Sequence, residues 1–249
     1  MHRFYLSSVP PGAEELPLSP EDARKICRVL KLAPGDEIIL WNESGIEYRA
    51  LITKVTGQFV YVRVLEELEN TAESPLFLNL VQGIPKGDKL ELIIQKATEL
   101  GVRRIYPIVT ERTVVRIPEE RRASRLQRWQ SIAREAARQC GRVRIPEIAE
   151  INTLDGIWGI LEAGAIKLIC WERETAGLKA YLRKVGRPPR VPVYLFVGPE
   201  GGFSPQEIAA CIARGGITVS LGPRILRTET AGLIGLSLVL YEWGDLGGL

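Results

Sequence analysis

With 249 residues, 45% of them hydrophobic, the chain can bury a sizeable core as one large domain or two smaller ones. Its 33 Lys+Arg against 30 Asp+Glu leave a net charge of +3, which does not by itself announce a nucleic-acid binder. Cys27, Cys140, Cys170 and Cys211 are far apart with no CxxC, and His2 stands alone near the start, which argues against a zinc site and against histidine acid–base chemistry.

Residues 1–70 read as a small β-barrel. Ser19, Pro20, Glu21 and Asp22 open a short helix with Ala23, Ile26, Cys27 and Leu30 on one face and Arg24, Lys25, Arg28 and Lys31 mostly off it. A turn over 32–36 ends that helix. Strand-like runs follow over 37–41, 47–55 and 59–65, with hairpin-type turns at 42–45 and 56–58 between them. The acidic stretch 66–75 reads as a linker.

From 71 to 249 the pattern becomes alternating strands and helices, which implies an α/β domain with a parallel sheet. A strand over 76–84 is followed by a helix carrying Leu90, Ile93, Ile94, Ala97 and Leu100 on its inner face and closed by Gly101. The next strand covers 104–109. Between 111 and 144 arginines crowd together. A helix over 119–139 puts Leu126, Trp129, Ala133, Ala136 and Cys140 on one stripe, and Arg128, Arg134, Arg138 and Arg142 away from it. Guanidinium groups match phosphate in bidentate fashion, so such a face suits RNA backbone; the alternative is a solvated helix paired with Glu119, Glu120 and Glu135. Positions 151–163 are loosely patterned. A strand over 166–171, a helix over 176–184, a loop over 186–190 and a fully apolar strand over 193–197 come next. No apolar run reaches membrane-span length and no secretion signal is evident, so a cytoplasmic protein with reduced thiols is expected.

Two glycine-bearing loops stand out. Gly198-Pro199-Glu200-Gly201-Gly202 follows the strand at 193–197 and precedes a helix that Ser204, Pro205 and Glu207 mark with a capping box. Leu221-Gly222-Pro223-Arg224-Ile225-Leu226-Arg227-Thr228-Glu229-Thr230 follows a strand over 217–221 and precedes an apolar helix over 231–243. Ligands of open α/β sheets sit outside the carboxyl ends of strands, so two such loops make a ligand cradle; two ordinary turns are the alternative. Neither loop is a GxGxxG fingerprint or a Walker A loop.

These two motifs, in this order near the carboxyl end, closely resemble those of the RsmE family of small-subunit ribosomal RNA methyltransferases, in the SPOUT superfamily. Arg3-Phe4-Tyr5, Arg28-Val29-Leu30-Lys31, Lys86-Gly87-Asp88-Lys89, Lys96 to Gly101, Arg112-Thr113 and Glu135-Ala136-Gln139 extend the likeness over essentially the whole chain. The resemblance implies a PUA-like barrel over 1–70 and a SPOUT methyltransferase domain with a trefoil knot over 71–249. It implies S-adenosylmethionine as methyl donor, no metal, and methylation of a uridine at N3 in free small-subunit ribosomal RNA or in the assembled small subunit. A homodimer with the last helix in its interface is implied as well.

Carried over residue by residue, donor contacts are expected from Leu195 and Val197 of the strand, though strand-core packing explains these two equally well. They are also expected from Gly198, Pro199, Glu200, Gly201 and Gly202 of the first loop, and from Leu221, Gly222, Ile225, Leu226 and Arg227 of the second. Arg227 is the candidate catalytic residue, stabilising negative charge on the base or engaging a phosphate, with Arg224 beside it less clearly marked. Glu200 or Glu229 could accept a proton, or brace loop amides, or pair with an arginine. RNA contacts are expected from Arg3, Arg24, Arg28, Lys31, Arg112, Arg116, Arg134 and Arg138. A non-catalytic RNA-binding or assembly protein, and a methyltransferase of another RNA nucleoside, are the alternatives.

Overall fold

A computed structural model describes residues 1–6, 15–42, 46–56, 59–69, 72–186, 188 and 190–248. Residues 43–45 and 57–58 of the expected turns, 70–71 of the 66–75 linker, and 187 and 189 of the 186–190 loop lie outside the described residues. The chain divides into two compact units, Met1–Glu73 with Ala137–Ile145, and Ser74–Ala136 with Pro146–Leu249.

The first unit is built on a curled five-stranded sheet in the order β1 (Arg3–Tyr5), β3 (Glu37–Trp41), β4 (Glu47–Thr56), β5 (Phe59–Leu68), β2 (Leu16–Pro17). All neighbours are antiparallel except β1 and β3. The long β4–β5 pair carries register shifts at Arg49/Ala50 and Ile52/Lys54, and such irregularities bend a sheet on itself. Phe4, Ile38, Leu40, Ala50, Ile52 and Val62 fill its interior. Helix α1 (Pro20–Arg24) is capped by Ser19 and runs into a π-helical turn, Lys25–Leu30, which Lys31 closes in the left-handed conformation. Ala23 and Ile26 face the core as their spacing implies.

β5 runs past position 65 to Leu68, so the acidic residues Glu66 and Glu67 lie in a strand and not in the linker. Glu66 pairs with Arg49 on β4 at 3.0 Å, a cross-strand contact that makes charge compatible with sheet. Two arginines of the basic set prove internal to this unit. Arg3 pairs with Glu47 and donates to the carbonyls of Ala137, Arg138 and Arg142 at 3.3, 3.2 and 3.2 Å. Arg142 is 2% exposed and pairs with Glu73 at 3.0 Å. These groups pin the 137–145 segment to its unit, and Arg3, expected among the RNA contacts, uses its donors inside the fold.

In the second unit seven parallel strands form one sheet, in the order β12 (Ile217–Val219), β10 (Ile166–Cys170), β11 (Val193–Val197), β6 (Leu78–Gly83), β7 (Arg104–Val109), β8 (Glu147–Ile148), with β9 (Asn152–Thr153) also on β7. β6 and β11 are buried along their whole length, as strands covered on both faces must be. Helix α2 (Lys89–Glu99) crosses from β6 to β7, and Gly101 takes φ +98° after its end. Helix α3 (Glu119–Cys140) buries Trp129, Ala133 and Ala136, as the stripe requires. Arg125 and Arg128 meet Glu91 of α2 at 3.6 and 2.6 Å, so part of the arginine excess is balanced from a neighbouring helix.

The loose 151–163 region holds β9 and a single-turn helix α4 (Leu154–Ile157), capped by Thr153. Helices α5 (Leu178–Val185) and α6 (Pro205–Ala213) follow β10 and β11, and the Ser204–Glu207 capping box forms in full. The chain leaves β11, passes β10 and lays β12 on its far side; α7 (Thr228–Trp243) then returns to pack on β11, β6 and α2.

Phe196, fully buried and stacked on Trp158 at 5.5 Å, anchors the core beneath the first glycine loop. Phe196→Ala is expected to lower unfolding stability by about 3–5 kcal/mol, read as a fall in the urea midpoint at constant m-value.

Candidate active site

The carboxyl ends of β6, β10, β11 and β12 lie side by side in the sheet, and the segments leaving them enclose a cavity of about 530 Å³. β11 contributes Gly198–Gly202. The segment after β12 contributes 220–227 and passes directly into α7, whose N-cap is Arg227. β10 contributes Cys170, Trp171 and Glu172, and α2 contributes Lys89.

The first loop is tight because its residues lack Cβ atoms where its own backbone crosses. A Cβ on Gly198 would fall 2.9 Å from the carbonyl carbon of Gly202, and one on Gly83 would fall 2.5 Å from the nitrogen of Pro199. Gly202 sits at φ +65°, a conformation that favours glycine, and its amide closes the turn onto the Pro199 carbonyl at 2.9 Å. A buried relay holds the loop from below. Gln82 donates to the Thr228 hydroxyl at 2.9 Å, and Thr228 donates to the Gly198 carbonyl at 2.6 Å. From the side, Arg112 donates to the Gly201 carbonyl at 2.9 Å.

Thr228 therefore joins both loops, being the first residue of α7 and a support of Gly198. Thr228→Val keeps the shape and leaves a buried amide and a buried carbonyl each short of a partner. The expected loss is about 1–3 kcal/mol of stability, together with weaker ligand binding, checked by chemical unfolding and calorimetric titration of the variant.

Charge in the cavity is arranged in a definite way. Glu200 accepts from the Lys86 amide and from Lys89 Nζ, both at 3.0 Å, and Lys89 lies 3.6 Å from Glu229. Partial burial opposes the charge on Glu200, but its own amide, the Lys89 ammonium and the Lys86 amide outweigh that and hold its pKa below the usual carboxylate range. The hydrogen bond to Glu200 in turn raises Lys89. A carboxylate so engaged is a weak base and an effective brace. Desolvation pushes the Cys170 thiol up to about 12, so it stays protonated at neutral pH. Arg224 and Arg227 are exposed at the cavity and supply positive charge there. Among the described residues, no group of three or more His, Cys, Asp or Glu could hold a metal ion.

Val197 and the whole first loop line the cavity, as do Leu221, Gly222, Ile225, Leu226 and Arg227. Leu195 does not. Its side chain packs on α7, where a Cβ on Gly235 would fall 2.7 Å from Leu195 Cδ2. Strand alternation sends positions 195 and 197 to the same face, and only the second stands at the strand end. Glu172 and Ser220 line the cavity without having been singled out, their signal being a position just beyond a strand end, and Lys89 and Thr228 line it from the 86–89 and 221–230 segments that carried the resemblance. Of the basic set, Arg24, Arg28 and Lys31 are exposed on the first unit, and Arg116 and Arg134 are exposed on the second. Arg112 is half-buried against Gly201, and Arg138 is half-buried.

Family models described as an RNA methyltransferase domain and an RNA methyltransferase PUA domain match residues 72–240 and 18–65. The ribosomal RNA small subunit methyltransferase E of Bacillus subtilis is 32% identical over 248 residues, which is 97% of either chain. A ribosomal RNA small subunit methyltransferase E of Neisseria gonorrhoeae, crystallised bound to S-adenosyl methionine, matches with a TM-score of 0.89 and 33% identity, covering 98% of this chain and 99% of that one. A Legionella pneumophila protein solved in complex with the cofactor S-adenosylmethionine matches with a TM-score of 0.87 and 38% identity over 98% of both chains.

Proposed function

Because this chain belongs to the ribosomal RNA small subunit methyltransferase E family, we propose that it transfers a methyl group from S-adenosylmethionine to N3 of a uridine in small-subunit ribosomal RNA. The observation that carries this reading is the cavity at the carboxyl ends of four parallel strands, walled by backbone that glycines allow to approach a ligand.

The residues present fit the donor. Backbone of Gly198–Gly202 and of the 221–227 loop would hold it, and side chains of Val197, Leu221, Ile225 and Leu226 would supply apolar cover. When bound, the donor supplies a methyl carbon already activated by its sulfonium, and the reading uses no metal. The protein's task is then to position the base and to manage the N3 proton, whose pKa lies well above neutral. Arg227, exposed at the cavity and fixed at the start of α7, is suited to stabilise negative charge on the uracil. Lys89, Glu200, Glu229, Arg112 and Thr228 hold the loops in place; none is assigned as the base.

Residues 1–70 serve as the PUA-like RNA-binding domain and residues 71–249 as the methyltransferase domain. Arg24, Arg28 and Lys31 on the first, and Arg112, Arg116, Arg134 and Arg138 around α3, engage the RNA backbone. The passage of β12 beyond β10 and the return of α7 supports a threaded trefoil. α7 carries Ile234, Leu238 and Tyr241, 42, 38 and 68% exposed at helical spacing, which supports a homodimer closing over this face. No helix of the described residues is long and apolar enough to cross a membrane, and an enzyme of ribosomal RNA acts in the cytoplasm.

Incubating the protein with labelled S-adenosylmethionine and undermethylated small subunits, then digesting the RNA, tests the reaction. N3-methyluridine is expected; label confined to another nucleoside would redirect the specificity, and no label would reject the activity.

A further inference from the structure

Glu172 lines the cavity at the end of β10, with its carboxylate turned toward the first glycine loop. A Cβ on Gly202 would fall 3.2 Å from Glu172 Oε2. The other lining carboxylate, Glu200, is already matched by Lys89. Among the described residues, no hydrogen bond or ion pair engages the Glu172 side chain. The residue is exposed, so a ligand entering the cavity can reach its carboxylate.

Resting on the reading of this cavity as the donor site, we propose that Glu172 is the specificity-determining charge that favours the sulfonium donor over the spent thioether product. S-Adenosylmethionine and S-adenosylhomocysteine share the adenosine, the ammonium and the carboxylate. They differ by one methyl group and one positive charge. Glycine loops and apolar walls grip the shared parts and cannot by themselves favour the charged form. A carboxylate that no side chain of the cavity engages can, because it attracts the sulfonium and gives the neutral sulfur nothing in return. Once the methyl group has left, the cavity holds a ligand with one favourable charge interaction fewer, which favours exchange for fresh donor.

The test is calorimetric titration of the full-length protein and of Glu172→Gln with S-adenosylmethionine, S-adenosylhomocysteine and sinefungin, whose amine restores a positive charge near the sulfur position. Glu172→Gln keeps shape and removes charge, and at an exposed site it leaves the unfolding midpoint unchanged. The expected result is roughly tenfold weaker binding of S-adenosylmethionine and sinefungin, as for loss of one charge pair in a partly solvated cavity, with S-adenosylhomocysteine within twofold of the original protein. Equal weakening of all three would place the carboxylate on a shared group, such as the ribose hydroxyls, and would overturn the proposal. So would no change at all. If the unaltered protein binds none of the three, it is the donor-site reading that fails.

Discussion

Gly198→Val is expected to weaken S-adenosylmethionine binding by more than about 100-fold, or roughly 2.7 kcal/mol, in isothermal titration. A side chain here has nowhere to go. Its first carbon would lie 2.9 Å from the Gly202 carbonyl carbon and 3.0 Å from the Gly202 Cα, which are backbone atoms and not the mobile end of a side chain. The loop cannot relax downward either, because Thr228 holds the Gly198 carbonyl at 2.6 Å. Spreading the turn to relieve the clash would move the backbone that lines the cavity. Gly198→Ala, with the first carbon alone, is expected to show a smaller loss in the same direction. Circular dichroism and urea unfolding of both variants separate a reshaped loop from an unfolded one. Retention of full affinity by a folded Gly198→Val would remove the first loop from the donor site.

Arg227→Ala is expected to lower kcat about 10²–10³-fold on undermethylated subunits while donor affinity falls less than tenfold, the pattern of an interaction made chiefly in the transition state. The geometry behind this is specific. Arg227 caps α7 with extended backbone, φ −63° and ψ 152°, which turns the residue out of the helix at the cavity. The residue is exposed, so a second molecule can reach it. Arg227→Lys keeps the charge and loses the planar fork, and is expected to recover part of the rate. A parallel collapse of donor affinity in Arg227→Ala would recast the residue as a ligand of the donor. An unchanged kcat would remove it from the chemistry.

Much of this architecture could be read in advance, for local reasons. The capping box at Ser204 and Glu207, the stripe through Trp129 and Ala133, and the uninterrupted apolar strand ending at Val197 are decided by neighbours in the chain. What could not be read was decided by distant partners. Leu195 and Val197 look alike in sequence; only the packing of Gly235 against Leu195 separates a core residue from a cavity residue. Arg3 looks like any basic residue near a chain start, yet its donors meet Glu47 and the carbonyls that end α3. Glu66 and Glu67 suggested a linker, and Arg49 across the ladder made a strand of them. Lys89, Glu172 and Thr228 come from the start of α2, the segment after β10 and the start of α7, so their convergence on one cavity is a product of strand order.

Co-crystallisation with S-adenosylmethionine decides whether the two glycine loops form the donor site. Donor density is expected between Gly198–Gly202 and the 221–227 loop, with its methyl carbon open toward the side where Arg227 stands. Density in any other place, or an apo cavity at saturating donor, would contradict it.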